Sequence, residues 1–98
     1  MGLKGSEKKH LRGLAHGLKP LVQVGKKGLT DELVASVDLS LADHELVKVR
    51  FLEFREEKKA LSETIAARTG SELAGLIGNV AVFFRSNPDP AKRRIKLR

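Results

Sequence analysis

Five consecutive apolar residues, Val80-Ala81-Val82-Phe83-Phe84, constrain the fold more than any other stretch of this chain. A strand with one face in water alternates polar and apolar side chains, so an uninterrupted run belongs to a strand covered on both faces. A chain of 98 residues has material for one such layered domain, spanning 1–98. At this length only about two-thirds of the unfolded surface is buried on folding, so every apolar side chain counts.

The covering layers are legible as periodicity. Leu11, Leu14, Ala15 and Leu18 recur at helical spacing after Ser6, a candidate N-cap, and the helix is expected to end near Gly17 and Pro20. Leu21-Val22-Gln23-Val24 reads as a short strand stopped by Gly25. Thr30 caps a second helix, with Asp31 and Glu32 in its first turn and Leu33, Val34, Val37 and Leu41 as its inner stripe, ending near His44. Residues 46–54 alternate Val47, Val49 and Phe51 with Lys48 and Arg50, a strand pattern. Residues 56–69 form a third helix closed by Gly70. After residues 80–84, the turn Ser86-Asn87-Pro88-Asp89-Pro90 leads to Ile95 and Leu97 alternating with Arg94, Lys96 and Arg98, expected as a basic edge strand. The expected fold class is α/β, an α-β-α-β-α-β-β sandwich with a four-stranded mixed sheet. Its β-α-β steps are expected to cross over to parallel neighbours, and its last two strands to pair as a hairpin.

Charge is unevenly distributed. The formal net charge is +7, which favours a polyanionic partner. Residues 1–28 hold seven cations and one acid; residues 29–47 hold five acids and no Lys or Arg; residues 79–98 hold six cations and only Asp89. A fold that joins the two ends has a positive face and an acidic patch elsewhere. On the first helix, Lys8, Arg12, His16 and Lys19 share one flank of the apolar stripe, with Lys9 close by.

Between the first strand and the second helix stands Val24-Gly25-Lys26-Lys27-Gly28-Leu29-Thr30. Glycines admit positive φ and let backbone N–H groups approach a ligand, and the two lysines add point charges suited to phosphate. This is the GxxG arrangement by which KH-like modules clamp a nucleic-acid backbone. Asp31 and Glu32 would repel a phosphate held on the helix axis, so contact is expected at the loop itself. A second such spacing, Gly75-Leu76-Ile77-Gly78, has an apolar centre and reads as a buried approach to residues 80–84.

Other chemistries lack their residues. There is no Cys, hence no thiolate metal site or cysteine nucleophile, and His10, His16 and His44 lack metal-ligand spacing. Neither a P-loop, a GxGxxG run, a nucleophile elbow nor an HExxH pair is present. The chain is therefore expected not to be an enzyme and to need no cofactor or metal. Its aromatics are Phe51, Phe54, Phe83 and Phe84, expected mostly in the core, so recognition by charge and shape is favoured over stacking. Met1-Gly2-Leu3-Lys4-Gly5-Ser6 matches an N-myristoylation pattern only formally. No apolar run approaches the roughly 20 residues of a membrane span, and a cytoplasmic monomer without membrane association is expected.

Several stretches together resemble the CRM domain (chloroplast RNA splicing and ribosome maturation) in its stand-alone, YhbY-like bacterial form. They are Leu11-Arg12-Gly13-Leu14-Ala15-His16 with Leu18-Lys19-Pro20, the segment from Val24 to Thr30, His44-Glu45-Leu46-Val47-Lys48-Val49-Arg50, and Ile77-Gly78 running into Val82-Phe83-Phe84-Arg85. The resemblance implies a fold similar to the C-terminal domain of translation initiation factor three. It also implies RNA binding and association with ribosomal RNA of the precursor large subunit during assembly. It assigns RNA contact to Gly25, Lys26, Lys27 and Gly28, with the basic residues of the first helix (Lys8, Lys9, Arg12, His16, Lys19) and Arg85 as companions. Where the family has Leu-Tyr-Arg, this chain has Phe83-Phe84-Arg85, without the hydroxyl. The alternative reading is a protein-interaction module that docks a ribosomal protein or assembly factor through the acidic helix.

Overall fold

In the computed structural model, which describes residues 2–97, the elements follow the expected order. They are α1 (Gly5–Ala15), β1 (Val22–Val24), α2 (Asp31–His44), β2 (Leu46–Phe51), α3 (Lys58–Thr69), β3 (Glu72–Ile77) and β4 (Val80–Phe84). Short 3-10 turns occupy Arg55–Glu57 and Pro90–Lys92. Met1 of the acylation pattern and Arg98 of the expected edge strand lie outside the described residues.

The sheet order is β1-β2-β4-β3. β1 and β2 pair in parallel through α2, whereas β2–β4 and β4–β3 are antiparallel. β4, the uninterrupted apolar run, is thus an inner strand, and its side chains divide between two cores. Ala81 and Phe83 join Val22, Val24, Val47, Val49 and Phe51 beneath Val37 and Leu41 of α2 and Ile65 of α3. Val82 and Phe84 join Leu46 and Ala74 beneath Leu11 and Ala15 of α1 on the opposite face. None of the described helices is long and apolar enough to cross a membrane.

Local signals account for several boundaries. Thr30 Oγ1 accepts from Leu33 N at 3.1 Å, capping α2 as expected. Gly70 closes α3 at φ 64°. α1 starts two residues earlier than Ser6 implies: Lys4 is the N-cap residue, and its N–H donates to the Glu7 carboxylate at 2.8 Å.

The fourth strand is not the basic C-terminal segment. Residues 93–97 have no regular structure, and the edge beside β4 is taken by Glu72–Ile77, which joins β4 through the Gly78-Asn79 turn. Gly75-Leu76-Ile77 is therefore part of a strand and not an approach to one. The tail instead lies over the α1 face, where Ile95 packs against the core of that face. Glu45 fixes this path. It is 1% exposed, and its carboxylate accepts from the backbone N–H of Asn87 (2.6 Å), Arg94 (2.8 Å) and Ile95 (3.0 Å). A tail whose N–H groups bind a buried carboxylate cannot also offer them to a sheet edge.

Candidate nucleic-acid interface

The Gly25–Gly28 segment is a tight turn: Gly28 N–H donates to the Gly25 carbonyl at 3.0 Å, placing Lys26 and Lys27 at the tip. Gly28 sits at φ 68°, a conformation strained for any residue with a side chain, and a Cβ there would meet the Phe54 ring at ordinary contact, 3.4 Å. Among the described residues, the Lys26 and Lys27 side chains are exposed and have no hydrogen-bond or ion-pair partner; the ion pairs are Arg68–Asp31 and Arg85–Asp38.

The expected companions separate into groups. Lys9, His16 and Lys19 are exposed and Lys8 is half-buried. Arg12 is committed to the fold: its Nη1 donates to the Ala74 carbonyl at 3.0 Å, and its stem crosses β3 at Gly75, where a Cβ would come within 2.5 Å of Arg12 Cδ. Arg85 follows β4 at the end of the sheet farthest from the loop, since Val80 pairs with Arg50 and Phe84 with Leu46. Its guanidinium is held by Asp38 and by the carbonyls of Thr69 (2.7 Å) and Asp38 (2.9 Å). The structure does not bring Arg85 to the loop.

Between α1 and the loop runs an uncovered part of the sheet. α1 packs over Leu46, while Gln23 and Arg50, which pair with each other, are both exposed on that same face. Lys48, also on that face, reaches the Leu18 carbonyl at 2.9 Å. Lys48 and Arg50 therefore run from the segment after α1, where Lys19 borders the same cleft as Lys48, toward the loop end of β2, about 16 Å for five residue steps. Alternation along 46–54 marks these two residues in the sequence, but which sheet face lacks a helix emerges only from the packing.

Two further features complete the surface. Phe54, one of four phenylalanines expected mostly in the core, is 41% exposed and lies against Gly28 at φ 57°. The two basic termini do meet: Lys19 and Arg94 border a cleft of about 390 Å³ floored by Leu14, Leu18, Leu21 and Ile95. Leu14 and Leu18, expected in the core stripe, are 44% and 43% exposed there.

With this geometry established, known proteins supply an independent comparison. A family model described as the CRS1/YhbY (CRM) domain matches residues 3–85. The chain is 38% identical over 93 residues to the "Probable RNA-binding protein PA4753" of Pseudomonas aeruginosa, covering 94% of this chain and 89% of that one. It is 34% identical over 88 residues to the "Probable RNA-binding protein YqeI" of Bacillus subtilis, covering 89% and 92%. Among solved structures, the solution structure of SAV1595 from Staphylococcus aureus matches with a TM-score of 0.80 at 35% identity, over 96% of this chain and 99% of that one.

Proposed function

Because the chain belongs to the CRS1/YhbY (CRM) domain family, we propose that it binds RNA, as a single domain, through the Gly25–Gly28 loop and the cationic strip that leads from it to α1. Relatives named as RNA-binding proteins support the partner class. The observation that carries the choice of surface is the pair of solvent-facing lysines without internal partners at the loop tip. Lys26 and Lys27 neutralise phosphates and release counterions, the glycine-flanked backbone admits close approach, and Arg50, His16, Lys8, Lys9 and Lys19 extend the track. Arg12 and Arg85 hold their elements in place. The reading extends, through the family resemblance, to ribosomal RNA of the precursor large subunit, bound in the cytoplasm by a monomer. The role is binding, not catalysis.

The rival surface, the acidic helix, is less available than its sequence suggests. Asp31 is paired with Arg68 at 2.9 Å, and Asp38 with Arg85. Photocrosslinking in cells, with sequencing of the attached RNA and mapping of the modified peptides, tests the assignment. The expected adducts fall on the 23–28 segment and α1, with precursor ribosomal RNA enriched. Adducts confined to α2, or a protein partner that survives nuclease treatment without any RNA adduct, would support the rival.

A further inference from the structure

Beside the loop, Lys26, Phe54, Arg55 and the acids Glu53, Glu56 and Glu57 border an open hollow of about 690 Å³. Phe54 is unusual there. A bulky residue in the left-handed region (φ 57°, ψ 37°) is strained by about 1–3 kcal/mol, and such strain concentrates at functional positions. The strain leaves the residue 41% exposed, with Gly28 against the Cε2 edge of its ring. The three carboxylates make the hollow a poor receptacle for phosphate, although Lys26, which suits phosphate, stands on its rim and Lys27 follows it in the loop. One ligand satisfies both halves: a nucleotide whose phosphate rests on Lys26-Lys27 and whose base enters the hollow.

Resting on the RNA-binding reading above, we infer that this hollow is a subsite for one unpaired nucleobase, stacked on Phe54. The carboxylates favour a base with an exocyclic amino group, because ionised carboxylates only accept hydrogen bonds and an amino group donates them. Cytosine is thereby preferred to uracil, which presents a carbonyl at the same position. The loop then grips the backbone without regard to sequence while Phe54 selects single-stranded RNA over duplex, whose bases are stacked within the helix.

The chain has no Trp and no Tyr, so Phe54→Trp introduces a sole fluorophore at the subsite. Titration of this variant with oligocytidylate is expected to quench its emission, and a blunt RNA duplex is expected to leave it nearly unchanged. Phe54→Leu keeps an apolar contact to Gly28 but removes the π face; it is expected to weaken oligocytidylate binding about tenfold, with the dependence on salt unaltered. Circular dichroism establishes that both variants fold, and if Phe54→Leu does not, Phe54→Tyr, with its stacking face intact, is expected to bind as wild type does. Unquenched Phe54→Trp, or a Phe54→Leu variant with wild-type affinity, would overturn the subsite while leaving RNA binding by the lysines intact. Equal affinity for oligocytidylate and oligouridylate would overturn the role of the carboxylates. Failure of the wild-type protein to bind any RNA would instead remove the reading on which the subsite rests.

Discussion

Glu45 and Phe54 are the two non-glycine residues at positive φ among the described residues, at 65° and 57°, and they flank β2 at opposite ends. The backbone is similar; the side chains meet opposite fates. Glu45 is buried with its carboxylate saturated by three N–H donors from the tail, and beside it Arg85 is consumed by Asp38 and two carbonyls. Phe54 is 41% exposed near two lysines that have no hydrogen-bond or ion-pair partner among the described residues. One end of the sheet satisfies its polar and strained groups internally and so contributes stability. The other leaves them open and so is available to a ligand. A cation's position in the sequence does not reveal which kind it is; its partners do.

The contrast can be broken by substitution, with the largest stability effects expected at the closed end. Glu45→Ala strips the acceptor from three backbone donors and should lower unfolding free energy by about 3 kcal/mol, read from urea denaturation, with the tail becoming protease-sensitive. Arg85→Ala should cost less, about 1.5 kcal/mol, because the guanidinium is partly solvated and its ion pair with Asp38 is half-exposed. Acid should act on the same end. Burial alone would raise the Glu45 pKa, but the N–H donors of Asn87, Arg94 and Ile95 and the charge of Arg93 outweigh it and hold the group below its ordinary 4.5. A carboxyl depressed in the folded state contributes stability above its unfolded pKa and loses that contribution as pH falls through the folded value. Wild-type stability should therefore drop more steeply than that of Glu45→Gln below about pH 4.5; parallel curves would remove Glu45 from the acid response. At the open end, Lys26→Ala/Lys27→Ala should change stability by no more than about 0.5 kcal/mol in the same denaturation experiment.

These two ends were not equally legible in the sequence. The loop was, because turn, glycines, lysines and the Thr30 cap are contiguous and their chemistry is local. α2, β2 and β4 were legible too, since they declare their periods. β3 was not: Ala74 and Gly75 are weak strand formers, and Ala74 lies at a register irregularity. Gly75 is small because Arg12, 63 positions earlier in the sequence, crosses it. The C-terminal alternation suggested a strand because nothing near it in sequence reveals that Glu45 binds its N–H groups. That Phe54 is the phenylalanine outside the core was hidden for a similar reason, as a positive φ leaves no compositional trace. What escaped was in each case a long-range contact or a backbone conformation imposed by packing.

The central claim, that the lysine pair at the loop tip grips phosphates, is tested most directly by the salt dependence of RNA affinity for wild type and Lys26→Ala/Lys27→Ala. On a single-stranded ribosomal RNA fragment, the slope of log affinity against log salt should be shallower in the double variant by about 1.4, the release expected from two lost phosphate contacts. Identical slopes with identical affinities would contradict the claim and place the grip elsewhere on the protein.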